Sequence, residues 1–268
     1  MRIGNRNFNV PGRTYVMGIL NVTPDSFSDG GKYYTCEDAL KRCESMIAEG
    51  ADIIDIGGES SRPGYTPVGF EEQIERIVPV IEKIRENFDI PISVDTTLPE
   101  VARAVIDAGA DMINDISGLS ESSEMAALLV AGKIPVVIMH NKKCSQNEPI
   151  LAQIVNDLKL SVDKAVDAGI DKSQIIVDPG IGFGKSVAQN IEIAGKISQI
   201  DVYGLPLLLG ASRKSFIGET LNLPVDERLE GTLAVSTVAV MGGVSFIRVH
   251  DIRENVRTVK MTEALLGR

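Results

Sequence analysis

Short apolar stretches rich in β-branched residues recur along the whole chain, and segments with helical periodicity separate them. Eight stretches are almost continuously apolar, which is typical of parallel strands buried on both faces. They cover residues 15–22, 51–57, 90–96, 111–117, 134–140, 174–179, 206–212 and 245–251. Between them, apolar residues return every three or four positions, most clearly over 70–88 and 151–166, which predicts amphipathic helices.

Helix ends are marked as well. A hydroxyl or carboxyl residue three positions before an acidic one indicates a helix start, and a glycine after a periodic segment indicates its end. The starts are at Thr35, Thr97 and Asp251, and the glycines are Gly50, Gly109 and Gly169.

Eight strands alternating with helices, with no long polar linker, predict an α/β protein. We expect a single-domain (β/α)₈ TIM barrel over residues 1–268. A doubly wound open sheet is the alternative. Residues 1–14 alternate in polarity and contain Pro11-Gly12, which predicts a short N-terminal hairpin that plugs the barrel.

Composition narrows the functional classes. The 268 residues suit one barrel, and no apolar run reaches the roughly 20 residues that span a membrane. The three cysteines form no C-x-x-C pair, which favours a reducing, cytoplasmic location. A net charge of −10 argues against nucleic acid or an anionic membrane as a partner. An anionic substrate would need a locally positive site.

Polar residues stand at the carboxyl ends of the predicted strands, where barrels of this kind carry their chemistry. They are Asn21, Asp55 with Glu59, Asp95, Asn114, His140, Asp178, Lys214, and Arg248 with His250. Each alone suits a turn or a helix cap. The complete set predicts an active site.

The last strand carries a pattern that predicts an anion pocket. Arg248 and His250 share one face of the strand, and Asp251 begins a helix whose free N–H groups favour an anion. Arg213 and Lys214 follow the seventh strand and add positive charge. The alternative is a solvated basic edge.

Asp95, Asn114 and Asp178 are expected to converge at the same end of the barrel. Two carboxylates and a carboxamide suit a heterocycle rich in N–H donors, with a metal site as the alternative. The loops 21–31 and 59–64, rich in Gly, Pro and charged residues, are expected to close over the site.

One motif is misleading. Gly184-Lys185-Ser186 resembles the end of a phosphate-binding P-loop, but Pro179 stands where the first glycine is required. Gly180, Gly182 and Gly184 instead suggest a turn that lets Phe183 approach a flat ligand.

At this point the chain resembles the dihydropteroate synthase family of pterin-binding TIM-barrel enzymes, from end to end and in the family's order. Ser61 departs from it, since the family usually has Thr there. The matching motifs are GILNVTPDSFSDGG (18–31), DIGGESSRPG (55–64), SVDT (93–96), ND (114–115), DPGIGF (178–183), SRKS (212–215) and RVHD (248–251).

The resemblance implies a transferase that joins two small-molecule substrates, 7,8-dihydropterin-6-ylmethyl diphosphate and 4-aminobenzoate, with Mg²⁺. It implies a homodimer as well. For the pterin it implies Asp95, Asn114, Asp178 and Lys214, with Ile116, Met139 and Phe183 packed on the ring. For the diphosphate it implies Asn21, Arg248 and His250, with Asn21 also a Mg²⁺ ligand.

The same resemblance implies an aminobenzoate site made of Phe27, Ser61, Arg62, Pro63 and Ser215. It implies catalytic roles for Asp29 and Arg62 in the closing loops, beside Asp95 and Lys214.

Three other functions compete with this one. They are a methyltetrahydrofolate:corrinoid methyltransferase, a class I aldolase with Lys214 as the Schiff-base lysine, and a pterin-binding protein without activity. The apolar segment 232–241 is either deeply buried or a subunit interface.

Overall fold

The structure is a computed structural model that describes residues 1–22, 36–59, 68–120, 123–145 and 148–268. Five predicted site residues and one predicted helix start lie outside these ranges. They are Phe27, Asp29, Ser61, Arg62 and Pro63, and Thr35.

The described strands form a short hairpin and one parallel sheet of eight strands. The hairpin consists of β1 (Arg2–Ile3) and β2 (Arg6–Asn7). The sheet consists of β3 (Tyr15–Asn21), β4 (Ile53–Gly57), β5 (Ile92–Asp95), β6 (Met112–Asp115), β7 (Val136–Met139), β8 (Ile175–Asp178), β9 (Leu208–Leu209) and β10 (Phe246–Val249).

The sheet closes on itself. Its order is β8-β7-β6-β5-β4-β3-β10-β9, and a parallel bridge between Val177 and Leu207 joins the two ends. At this bridge the Val177 N–H donates to the carbonyl of Pro206 at 3.0 Å. The predicted barrel is therefore confirmed, and the open-sheet alternative is wrong.

Helices follow the strands around the outside of the barrel. They are α1 (Cys36–Glu49), α2 (Phe70–Asn87), α3 (Pro99–Asp107), α4 (Ser123–Gly132), α5 (Ile150–Asp167), α6 (Val187–Gly195), α7 (Ser215–Leu221), α8 (Leu229–Met241) and α9 (Ile252–Leu265). Gly50, Gly109 and Gly169 adopt φ of +105°, +110° and +103° after their helices, which confirms them as helix-terminating glycines.

The predicted helix starts fare less well. Helix α3 begins at Pro99 with Leu98 before it and no side-chain cap, so the start predicted at Thr97 is wrong. Proline fixes φ near the helical value and lacks an N–H, so it begins a helix without a cap. Asp251 does precede α9, but it makes no cap, and its carboxylate pairs with Arg213 instead. Among the described residues, a capping box forms at Ser186 and Gln189, at the start of α6.

The core has two parts. The larger part lies between the strands and the surrounding helices, and the smaller one fills the amino-terminal end of the barrel. There Phe8 packs against Tyr15 and Phe246, with ring centroids 4.8 Å and 5.7 Å away. Ile3 is buried in the same cluster, which confirms the hairpin as the plug.

Only one face of helix α8 is buried. Thr232, Ser236 and Ala239 are buried, whereas Val238 and Met241 are exposed. Deep burial of the segment 232–241 is therefore wrong, and its apolar outer face stays open in the single chain. Across the described residues, each helix is too short or too polar to cross a lipid bilayer.

Candidate active site

A buried ion-pair network joins several strands at the carboxyl end of the barrel. The Nε of Arg248 on β10 donates to Oδ2 of Asp55 on β4 at 2.6 Å. Its Nη2 donates to Oδ2 of Asp95 on β5 at 2.9 Å, and Asn114 on β6 donates to Asp55 at 3.4 Å. Asp55 is completely buried. The ends of four strands therefore meet here, including those of Asp95 and Asn114, two of the three residues that the sequence predicted to converge.

The second group of site residues comes from β8 and the segment after β9. Oδ1 of Asp178 accepts the N–H of Gly180 at 2.7 Å. The Nζ of Lys214 lies 4.3 Å from the ring centroid of Phe183. Met139 is the register partner of Asp178 on β7. Ile116, half-buried, directly follows β6.

Burial brings the pKa values of these groups towards neutrality. It raises the pKa of Asp95 to about 7, with Arg248 opposing and Asp55 reinforcing the shift. It raises the pKa of Asp178 to about 6 against the hydrogen bond from Gly180. It lowers the pKa of Lys214 to about 8, and the positive charge of Arg248 adds to this effect.

Arg248 behaves differently. Burial opposes its charge, but the carboxylates of Asp55 and Asp95 more than offset that cost and raise its pKa. The site thus combines one permanent cation with three groups whose protonation changes close to neutral pH. Such a combination is characteristic of functional sites.

A cavity of about 330 Å³ opens above this network. It collects six predicted residues, namely Asn21, Phe183, Lys214, Ser215, Arg248 and His250. Its other lining residues are Ile19, Gly182, Ser212, Arg213, Val225, Asp226 and Arg228. Nδ1 of His250 is 3.0 Å from Oγ of Ser212, which ties β10 to the segment after β9.

Two polar residues near the strand ends serve the scaffold. His140 is buried with its Nε2 3.1 Å from Oδ2 of Asp157, and burial lowers its pKa to about 4. Glu59 accepts the N–H of Val68 at 3.0 Å near the start of α2. These two residues are therefore not brought into the cavity.

Arg213 lines the cavity, but its charge is already matched. Its Nε donates to Oδ2 of Asp251 at 2.9 Å, and its Nη2 makes a second, short hydrogen bond to the same carboxylate. The positive charge predicted from Arg213 is thus largely offset. Lys214, Arg248 and His250 are the other predicted basic residues of the cavity, and Arg228 lines it as well.

Sequence reasoning missed several residues that shape the cavity. Val225, Asp226 and Arg228 line it from the segment between α7 and α8. Arg228 donates to the carbonyl of Arg213 at 3.0 Å. Asn190 on α6 accepts the N–H of Gly182 at 2.8 Å and so fixes the turn after β8. None of them stands at a strand end, so the strand-end pattern contains no signal for them.

Comparison with known proteins agrees with this geometry. A family model described as pterin binding enzyme matches residues 17–250. A dihydropteroate synthase from Clostridium beijerinckii is 49% identical over 269 residues and covers 100% of both chains.

Solved structures are similar over the whole fold. A dihydropteroate synthase from Clostridium difficile, determined in the presence of pteroic acid, has a TM-score of 0.93 at 42% identity. The match covers 98% of this chain and 100% of that one. A dihydropteroate synthase from Xanthomonas albilineans with 4-aminobenzoic acid has a TM-score of 0.89 at 40% identity, covering 96% and 95%.

Fold, site and comparisons together define a pterin-binding enzyme of the TIM-barrel class. Within that class, the chain belongs to the dihydropteroate synthase family, whose members are transferases of folate biosynthesis. The resemblance found in the sequence motifs is confirmed, and the three competing functions are set aside.

Proposed function

We propose that this site joins 7,8-dihydropterin-6-ylmethyl diphosphate to 4-aminobenzoate, giving 7,8-dihydropteroate and diphosphate. One observation carries the proposal. Basic groups for a diphosphate line one cavity at the carboxyl end of the barrel, and one of them, Arg248, is hydrogen-bonded to the strand-end carboxylates Asp55 and Asp95.

In this proposal, polar side chains bind the edge of the pterin that carries its N–H groups, and apolar side chains pack against the faces of its ring. Asp178, when ionised, accepts from the amino and ring N–H groups of the pterin, while Asn114 and Lys214 supply further polar contacts. Phe183 covers one face of the ring, and Ile116 and Met139 pack against it. The Nζ of Lys214 lies 4.3 Å from the ring centroid of Phe183, so these two proposed pterin contacts are neighbours.

The diphosphate is bound by Arg248, His250 and Asn21. A guanidinium has five N–H donors, of which the Nε and one on Nη2 of Arg248 go to Asp55 and Asp95. The two carboxylates therefore hold the guanidinium in place and leave further donors for phosphate oxygens.

The Mg²⁺ of this reaction fits the same region. Among the described residues, no group of three His, Cys, Asp or Glu side chains is arranged as a metal site. Mg²⁺ at phosphates commonly takes one or two protein oxygens and fills its other positions with water and substrate. The carboxamide of Asn21, which lines the cavity, would supply one such oxygen. When bound, Mg²⁺ would help to neutralise the departing diphosphate.

The reaction is proposed to begin with loss of diphosphate from the pterin's exocyclic methylene. Arg248 and His250 stabilise the leaving group, and the carboxylate of Asp95 offsets the positive charge that develops on the pterin. The neutral aromatic amine of 4-aminobenzoate then attacks the methylene. An aromatic amine is sufficiently nucleophilic for this step, so the chain needs no strong base.

The aminobenzoate site remains a prediction in most of its residues. Ser215, exposed at the start of α7, lines the cavity next to Lys214. The roles of Phe27, Ser61, Arg62 and Pro63, and that of Asp29 in closing the site, rest on the family resemblance.

The assembly is proposed to be a homodimer. An apolar surface groove of about 320 Å³ runs between α6, α7 and α8, and a second copy of the chain would cover it. Ile191, Leu221 and Val238 at this groove are 46%, 46% and 38% exposed.

The location is proposed to be cytoplasmic. The three cysteines of the chain are free thiols, which is typical of proteins in a reducing compartment.

The proposal is tested by measuring diphosphate release and dihydropteroate formation together. We expect both to require the pterin diphosphate, 4-aminobenzoate and Mg²⁺. Chelation should stop the reaction, and added Mg²⁺ should restore it. Pterin binding without any product under these conditions would contradict the proposed reaction.

A further inference from the structure

Lys185, in the motif that resembles the end of a P-loop, binds backbone carbonyls instead of the cavity. Its Nζ donates to the carbonyls of Gly180 at 2.8 Å, Phe183 at 3.1 Å and His140 at 3.2 Å. An ammonium group has three N–H donors, so these three acceptors use all of them. Lys185 does not line the cavity of the active site.

The backbone around Lys185 is tightly folded. Gly180, Gly182 and Gly184 all have positive φ, at +69°, +85° and +64°. A Cβ added to Gly180 would lie 2.1 Å from the carbonyl oxygen of His140, so the segments after β7 and β8 approach without room for a side chain. Carbonyl oxygens brought together in this way repel each other, and a cation between them removes that cost.

The turn held by Lys185 carries two predicted parts of the pterin site. Gly180, at its start, donates to Asp178, and Phe183, near its end, stands beside Lys214. Lys185 binds a carbonyl at each of these two points. Asn190 holds the middle of the turn through the N–H of Gly182.

We propose that Lys185 is a positioning residue of the pterin site, which fixes the ring of Phe183 and the N–H of Gly180 by binding the carbonyls of His140, Gly180 and Phe183. The proposal rests on the proposed function, because it requires the pterin to lie against Phe183. Lys185 itself touches neither substrate.

The test compares Lys185→Met with Lys142→Met. Methionine keeps an unbranched apolar side chain that reaches as far as the Cε of lysine, and it removes the ammonium group. Lys142 follows the neighbouring strand, and its exposed ammonium pairs with Asp157 at 2.8 Å, so it is a matched control. We expect Lys185→Met to weaken pterin binding in calorimetry by about tenfold, because a turn that is no longer held in place must be ordered when the pterin binds. Lys142→Met should bind the pterin like the parent protein.

A double-mutant cycle separates positioning from a general loss of structure. In a Phe183→Ala background, Lys185→Met should change pterin affinity by clearly less than tenfold, because one of the two groups that it positions is gone and only the N–H of Gly180 remains. A full tenfold effect in that background would overturn the proposal, as would parent-like affinity of Lys185→Met. If Lys185→Met does not fold, Lys185→Gln, which retains two N–H donors, takes its place in the same cycle.

The outcome is separable from that of the proposed function. Failure of the parent protein to bind a pterin would reject the function itself. A parent protein that binds pterin and forms product, with an unaffected Lys185→Met variant, would reject only the role of Lys185.

Discussion

At the scale of the residue, the active end of the barrel depends on buried charges that are matched by one another. Arg248 lies between Asp55 and Asp95, and Lys214 is influenced by Asp178 and Asp95. Removing one such group affects both the ligand that it binds and the charges that it leaves unpaired.

Asp178→Asn should weaken pterin binding by roughly ten- to a hundredfold, because charged hydrogen bonds are replaced by weaker ones. The amide retains an oxygen for the N–H of Gly180, so the turn should persist. Calorimetric titration with a pterin measures the effect. Asp201→Asn is the control, since Asp201 accepts the N–H of Gly204 at 2.8 Å on the surface. Near-unchanged affinity of Asp178→Asn would remove Asp178 from the pterin site.

Pterin affinity should be highest between about pH 7 and 8. Asp178 and Asp95 act as carboxylates, and their pKa values are raised to about 6 and about 7, so binding weakens as the pH falls through these values. Lys214 acts as an ammonium, and its pKa is lowered to about 8, so binding weakens as the pH rises above that value.

Titration at several pH values checks the profile, and Lys214→Arg should remove the alkaline loss because arginine stays charged. An alkaline loss that persists in Lys214→Arg would point to Lys185, whose pKa burial also lowers to about 8. A flat profile from pH 5 to 9 would contradict the assigned roles of all three groups.

The sequence predicted much of this site because chemistry in a barrel collects at the carboxyl ends of its strands. It erred at His140 and Glu59, since strand-end position alone does not tell which way a side chain points. It also gave no structural role to Lys185 and Asn190, which bind the backbone of the turn after β8. Their partners are main-chain groups brought near by folding, and no side-chain pattern encodes them.

At the scale of the element, β4, β5 and β10 are joined by side chains as well as through the sheet. The links from Arg248 to Asp55 and Asp95 cross from β10 to strands that are not its neighbours, since β3 separates β10 from β4. This network therefore braces one end of the barrel across its interior.

Arg248→Ala should impair both use of the diphosphate substrate and stability. Loss of one partner of a buried ion pair costs about 3–5 kcal/mol, because the remaining charge is left unpaired. Chemical denaturation measures this cost, and steady-state kinetics measures the diphosphate effect. Adding Asp55→Asn should recover part of the stability but none of the activity. Joint recovery of both would mean that Arg248 contributes only to the scaffold.

Element boundaries were predicted less accurately than element types. The apolar stretch 206–212 predicts a strand of seven residues, but β9 contains only Leu208 and Leu209. An apolar pattern indicates that a segment is buried. A strand also requires backbone hydrogen bonds to neighbouring strands, which the pattern does not indicate. Likewise, the threonine pattern before α3 did not reveal that Pro99 begins the helix without a cap.

At the scale of the whole molecule, the two ends of the barrel have different tasks. The amino-terminal end is filled by apolar side chains of the hairpin and strands, whereas the carboxyl end carries the charges and the cavity. Stability and function should therefore respond separately to substitutions at the two ends.

Phe8→Ala should lower the free energy of unfolding by about 3–5 kcal/mol, since it leaves a cavity among buried rings. It should leave the KM values nearly unchanged. Phe183→Ala makes the same chemical change at the other end, where the ring is half-buried, and should mainly weaken pterin binding. Denaturant titration and kinetics of both variants test the separation. The predicted separation of stability from function would be wrong if Phe8→Ala raised the KM for the pterin as much as Phe183→Ala does.

Val238→Glu should convert the proposed dimer into monomers, because a carboxylate placed in the apolar groove would lose its hydration on assembly. Light scattering after size-exclusion chromatography gives the mass. Leu160→Glu, at a position on α5 that is 57% exposed and outside the groove, is the control. A monomeric parent protein, or a Val238→Glu variant with the same dimer mass, would exclude this face as the interface.

The closure of the barrel between β8 and β9 has a consequence for how binding and folding are linked. In the described chain, the Val177–Leu207 bridge joins these two sides, whereas β3 and β4 are paired over five positions. Local opening should cost least along this seam. Asp178 ends the strand on one side of the seam, and Lys214 follows the strand on the other. A pterin bound by both residues would link β8 to the segment after β9. Part of its binding free energy would then raise the free energy of local opening between these two strands.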